Sequence, residues 1–291
     1  MGKKGFYHLF SDGFRTDVLF QDNISFVAGM NIIALSYLCS KVKILAFVLM
    51  DNHVHFILYG RAEDCIHFKD KFIHKFAMWY CNHNKGRCIN ALEFDIKELT
   101  DERYLLNSIA YVLRNGIAAG FAYCPDDYRW SSAGLYFRSP EILDSITSKY
   151  VSVSELSVRE RRRLMHSHTD IPLNWKIVPE GFIWPGSYVD YELVEKLYRT
   201  PKSFTFFMGQ SKEEDINKSL GMDCNVTIPD MELRAKAIEL SMAMFKTTYL
   251  RKLTVPERLT LAKELRRVYK CSAKQIARIV HLDQMYVKEF V

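Results

Sequence analysis

The period of the hydrophobic pattern changes along the chain, and each change marks an element. Residues 6–9 form a short strand pattern, followed by a polar turn through Ser11, Asp12 and Gly13. Apolar positions then recur at helical spacing from about residue 23 to 39. Two β-rich runs, 45–49 and 53–59, flank the pair Asp51-Asn52, which predicts a hairpin. From residue 62 to about 83, Ile66, Phe68, Phe72, Phe76, Trp79 and Tyr80 recur at helical spacing, while Lys69, Lys71, His74 and Lys75 occupy another face. That basic face fits a solvated surface as well as one that meets DNA. Asp101 opens a further helix through Leu105, Leu106, Ile109, Val112 and Leu113, ending near Gly116 or Gly120.

The pattern then loosens until Val153. Ser154 is predicted to cap a short basic helix carrying Arg159, Arg161, Arg162 and Arg163. Pro172, Pro179, Pro185 and Pro201 punctuate the chain beyond that helix, as expected of a loop-rich connection. Past Pro229 three short amphipathic segments appear at 257–269, 273–280 and 284–291, with Ser272 as a cap on the second. Their spacing is that of a helix-turn-helix, with Lys274 and Arg278 on the helix that would meet DNA; a plain helical bundle has the same pattern. Three regions are thus expected: 1–140, 141–228 as a linking region with no assigned chemistry, and a helical 229–291.

The charge distribution supports the last assignment. Residues 251–291 carry 10 Lys or Arg against 4 Asp or Glu, an excess equal to the net charge of +6 for all 291 residues. A hydrophobic fraction of 48% and a charged fraction of 25% are those of a packed globular chain. No apolar run reaches the roughly 20 residues that span a bilayer, and the N-terminus has no apolar core of an export signal. The seven cysteines include no Cys-x-x-Cys pair, so the expected setting is a reducing cytoplasm, with no membrane partner.

Candidate chemistry concentrates in two places. His53 and His55 alternate on an otherwise apolar strand, so both point to one face, where two imidazoles can share a divalent cation. Taken alone, such a pair is more often hydrogen-bonded structure than ligand. On the helix after Asp101, Tyr111 and Asn115 are one turn apart and therefore neighbours. Taken alone, these fit a core aromatic and a helix C-cap.

Three blocks, taken together, resemble the single-tyrosine HUH transposases, most closely the REP-associated tyrosine transposases. They are Tyr7-His8-Leu9-Phe10 with Val18-Leu19-Phe20-Gln21-Asp22, then Leu49-Met50-Asp51-Asn52-His53-Val54-His55-Phe56-Ile57-Leu58, and then Tyr111-Val112-Leu113-Arg114-Asn115-Gly116 followed by Tyr128-Arg129-Trp130-Ser131-Ser132. The resemblance covers about residues 6–137 and departs from the family at Asp51 and Gly116, where proline is common. It implies an α+β fold, an antiparallel sheet with packed helices around a ferredoxin-like core, in front of the α-helical C-terminal region. It also implies a DNA strand transferase in which Tyr111 attacks a phosphodiester to give a 5′-phosphotyrosine and a free 3′-hydroxyl. His53, His55 and the side-chain oxygen of Asn115 would hold magnesium or manganese, although imidazole alone suits zinc equally. The implied partner is single-stranded or hairpin DNA, with Arg114, Arg129 and Trp130 as contacts and a monomer favoured over a homodimer. Tyr104 and Tyr123 are rival nucleophiles, each without an amide ligand four residues on. Two other functions fit the sequence: a domesticated protein that binds DNA without cutting, and a metal-dependent hydrolase using water.

Overall fold

The computed structural model describes residues 2–11, 19–84, 94–119, 122, 124–209, 228–269, 271 and 273–290. Its first half runs β1 (Lys4–Ser11), α1 (Asn23–Leu38), β2 (Lys43–Leu49), β3 (Val54–Arg61), α2 (Ala62–His83) and β4 (Phe94–Glu98). The strands form one antiparallel sheet in the order β2-β3-β1-β4, the interleaved order of a ferredoxin-like α+β fold. The predicted hairpin and the helix at 62–83 are present, and Met50 N–H donates to the His53 carbonyl (2.8 Å) across the turn. The hydrophobic pattern does not predict β4. It is an edge strand with residues 95–98 all exposed, so no apolar period marks it. Tyr123 and the turn residues Asp12 and Gly13 lie outside the described residues, as does Ser272.

Strand alternation divides the sheet into two unlike faces. Val54, Phe56 and Leu58 are fully buried, and the Phe56 ring lies 5.2 Å from both Phe68 and Phe72 of α2. α1 is buried almost all round, because residues 181–183 cover the side that α2 leaves open. There Asn31 donates to the Gly181 carbonyl (3.1 Å) and accepts from Ile183 N–H (2.9 Å), so its buried amide is satisfied. The other sheet face carries His8, Phe10, His53 and His55, and α3 (Glu102–Ala118) packs over it.

The stretch 140–209 contains α4 (Pro140–Thr147), β5 (Val151–Ser152), α5 (Val158–Met165), β6 (Lys176–Ile177), α6 (Tyr191–Tyr198) and α7 (Pro201–Gly209). Ser157 caps α5, rather than Ser154, because Ser157 and Glu160 form a reciprocal capping box. Val153, Met165, Phe182, Tyr188 and Val194 share one core with the sheet, and Asp190 N–H donates to the Ile44 carbonyl (2.8 Å). The Tyr198 hydroxyl donates to the Leu106 carbonyl on α3 (2.6 Å).

The C-terminal helices α8 (Asp230–Phe245), α9 (Val255–Tyr269), α10 (Ala273–Val280) and α11 (Gln284–Phe290) enclose a second, separate core that includes Leu233, Leu261, Leu265, Ile276, Val280 and Val287. Among the described residues no helix is long and apolar enough to cross a membrane.

Candidate active site

The site forms where α3 crosses the polar face of the central strands. Asp101 starts this helix by accepting from Tyr104 N–H (2.7 Å), and Leu105, Ile109 and Val112 bury its inner side. A close approach then sets its height above the sheet. A Cβ on Gly116 would sit 2.6 Å from Cγ of Tyr128, so only glycine lets that ring pack here. The Tyr128 hydroxyl in turn donates to the Leu49 carbonyl (2.7 Å) at the end of β2. Trp130 and Ser132 continue the attachment: Leu49 N–H donates to the Trp130 carbonyl (2.8 Å) and Ser132 N–H to the Phe47 carbonyl (3.1 Å). The segment 128–132 thus covers the free edge of β2 and fastens the end of α3 to the strand that leads into the histidine turn.

Within this frame Asn115 is buried inside α3, not at its C-cap, because the helix continues to Ala118. Its Nδ2 donates to the Tyr111 carbonyl (2.8 Å), which turns Oδ1 toward Nε2 of His53, 3.5 Å away. His53 is held from behind, its Nδ1 2.7 Å from Oδ1 of Asn52. Asn52 Nδ2 donates to the Asp230 carboxylate (3.3 Å), which identifies the atom facing His53 as the amide oxygen. Asn115 offers an oxygen to Nε2 as well, but at 3.5 Å against 2.7 Å for Asn52, so the closer contact favours the proton on Nδ1 in the neutral ring, and Nε2 and the Asn115 oxygen are then two donors facing a common cation position.

His55 stands edge-on to His53 with ring centroids 5.0 Å apart, and its Nδ1 lies 3.1 Å from Nε2 of His8 on β1. Burial, reinforced by Lys97, lowers the pKa of His8 to about 4, so this ring is neutral at physiological pH. When His8 accepts, His55 carries its proton on Nδ1 and Nε2 is the nitrogen that can bind a metal. Tyr111 is 40% exposed, edge-on to His55 at 5.5 Å and to His8 at 6.3 Å. The donors are therefore two imidazoles and one amide oxygen. Among the described residues no group of three or more His, Cys, Asp or Glu is placed to hold a metal ion.

The structure therefore brings His53, His55, Tyr111 and Asn115 together. Arg114 is half-buried on α3 next to Asn115. Arg129 is exposed, 3.4 Å from Glu180 and with its guanidinium 5.8 Å from the Trp130 ring centroid. Trp130 is buried and stacked on Phe26 at 4.9 Å, so its ring belongs to the core on the α1 side. Arg278 is 2.7 Å from the Asp230 carboxylate, with its side chain only 18% exposed. The side chain of Lys274 lies outside the described residues. Tyr104 is beneath the Lys97 ammonium, 4.9 Å from the ring centroid.

The sequence alone does not assign a role to His8, Asn52 or Asp230. His8 follows from β-alternation once Phe10 is known to pair with His55, since His8 and Phe10 share a face. Asp230 is 178 residues from Asn52, and nothing local announces the contact. Asp51 is buried, and its Oδ2 has no hydrogen-bond partner. Burial first, and the nearby Asp230 second, push its pKa up to about 7, against the pull of Arg278.

No family model matches the chain, and no curated protein matches it. Among solved structures, it is similar to a REP-associated tyrosine transposase bound to a REP hairpin. Identity is 14% and the TM-score 0.34, over 61% of this chain and 93% of the other. A likeness this distant assigns neither fold nor role by itself.

Proposed function

We propose that this protein is a metal-dependent DNA strand transferase that cuts and rejoins single-stranded or hairpin DNA, with Tyr111 as nucleophile. One observation carries the reading: α3 presents an exposed tyrosine and, one turn on, an amide oxygen 3.5 Å from Nε2 of a histidine whose Nδ1 meets Asn52 on its far side. A water-using hydrolase has no need of a tyrosine at that place.

His53 Nε2, His55 Nε2 and Asn115 Oδ1 are the atoms that would hold magnesium or manganese. The bound ion would polarise the scissile phosphate and offset charge developing on its oxygens. The chain's own residues do the rest. With His8 accepting from His55 and Asn52 from His53, the protons of the two imidazoles would sit on the sides away from the metal. The phenolic oxygen of Tyr111 forms a bond to phosphorus as the bond to the 3′-oxygen breaks. The phenol's proton leaves to solvent and the departing 3′-oxygen gains one, giving a 5′-phosphotyrosine and a free 3′-hydroxyl. Attack by another 3′-hydroxyl reverses the step and joins strands without an external energy source. A monomer acting on its own substrate is part of this reading, since Tyr111 lies edge-on to His55 of its own sheet. Arg114 and Arg129 are proposed as phosphate contacts and the C-terminal helices, through Lys274, as a second DNA contact.

The test is incubation with labelled hairpin DNA and manganese, read on a denaturing gel. A covalent adduct that disappears in Tyr111→Phe is expected. Cleavage without an adduct points to hydrolysis by water, and binding without cleavage to a protein that only binds DNA.

A further inference from the structure

The C-terminal helices and the histidine pair are joined by a continuous line of polar contacts through buried or half-buried side chains. Arg278 on α10 places Nη2 2.8 Å from Asp230 Oδ1 and 2.7 Å from Oδ2, and Gln275 on the same helix donates to Oδ1 (2.9 Å). Asp230, the first residue of α8, is only 6% exposed and accepts from Asn52 Nδ2 through its Oδ2. Asn52 is 5% exposed and meets Nδ1 of His53 through its oxygen. Each step constrains the next. A carboxylate only accepts, so it determines which end of the Asn52 amide faces it, and that amide oxygen, 2.7 Å from Nδ1 where the Asn115 oxygen is 3.5 Å from Nε2, then favours Nδ1 as the protonated nitrogen of His53. Arg278, Gln275 and Asp230 come from the C-terminal helices and Asn52 from the tight turn of the sheet, so the link exists only when both cores are formed and docked.

We propose that Asp230, oriented by Arg278 and Gln275, is a positioning residue for the metal site. Through Asn52 it holds His53 in the Nδ1-protonated form with Nε2 presented to Asn115. The C-terminal helices are thereby part of the metal site's support as well as a second DNA contact. This inference rests on the strand-transferase reading for its purpose, while the link itself is a property of the metal-free chain.

The experiment is nitrogen NMR of the histidine side chains in the full-length, metal-free protein, followed by manganese titration monitored by electron paramagnetic resonance. In the wild type His53 should be a single Nδ1–H tautomer. Asp230→Ala should give a mixture of tautomers and weaken manganese binding about 10- to 100-fold. Arg278→Met, which keeps the Asp230 carboxylate but frees it to turn, should give a smaller change in the same direction. Circular dichroism and melting of each variant separate this from loss of fold, and Arg278→Lys should restore most of the wild-type spectrum. An unchanged His53 tautomer in folded Asp230→Ala or folded Arg278→Met overturns the proposal. A wild-type protein with the expected tautomer but no manganese binding overturns the strand-transferase reading and leaves the positioning link standing.

Discussion

The two faces of β3 are built from the same eight residues and do opposite work. On one, Val54, Phe56 and Leu58 are wholly buried, Phe56 against the aromatic side chains of α2, with no side-chain polar atom to satisfy. On the other, His55 is equally shut off, 6% exposed, yet its nitrogen is met by His8 and its ring by an exposed tyrosine. The apolar face is held by area and shape, so its residues are replaceable by others of similar volume. The polar face is held by hydrogen-bond direction, where an isosteric change of one atom reverses a donor. Stability and chemistry are therefore separable along a single strand, and substitutions on the two faces should fail in different ways.

The largest effect expected is complete loss of the covalent DNA adduct in Tyr111→Phe, at least about 1000-fold below wild type, with little change in melting because the substitution keeps the ring that packs edge-on to His55. A large drop in melting temperature would break the division between faces. Phe56→Ala should do the reverse, costing about 3–5 kcal/mol in urea unfolding while the fraction still folded keeps its manganese affinity. His55→Ala should weaken manganese binding about 100-fold or more, measured by calorimetry, for a much smaller loss of stability than Phe56→Ala. Gly116→Ala tests the attachment of α3. The added methyl meets the buried Tyr128 ring at 2.6 Å, so a cost of about 2–3 kcal/mol is expected, together with reduced adduct formation as the helix shifts.

The smallest effect depends on pH. Asp51 ionises at about 7 in the folded protein against an ordinary 3.8, so the fold retains a proton that the unfolded chain releases. That contribution is most favourable below about pH 4 and is lost as pH rises through 7. Asp51→Asn, which cannot ionise, should match wild type near pH 4 and be the more stable of the two at pH 8 in urea unfolding. Equal midpoints at both pH values would show that the Asp51 carboxyl is not held in its neutral form.

Much of this arrangement is legible in the residues. The pattern predicts α2 at its observed ends because Phe68, Phe72 and Phe76 mark one face at helical spacing and nothing else competes. The hairpin follows from two β-rich runs about a polar pair. β4 escapes such reasoning, because an exposed edge strand has no buried face to impose a period. Trp130, by residue type a base-stacking candidate, is packed on Phe26, and Arg278, by position a DNA contact, pairs with Asp230. In both cases the residue type suits either role, and only its neighbours decide between them.

By itself the sequence determined which residues share a face. His53 with His55, and Tyr111 with Asn115, follow from the repeats of strand and helix, which are local properties of the backbone. Only the tertiary structure decided that these two pairs meet, which partner faces each histidine nitrogen, and that Asp230 stands behind Asn52. Those outcomes depend on strand register, on the height at which Tyr128 and Gly116 set α3, and on the docking of two cores. Each of these is a sum of contacts between residues far apart in the chain, and no local period records it.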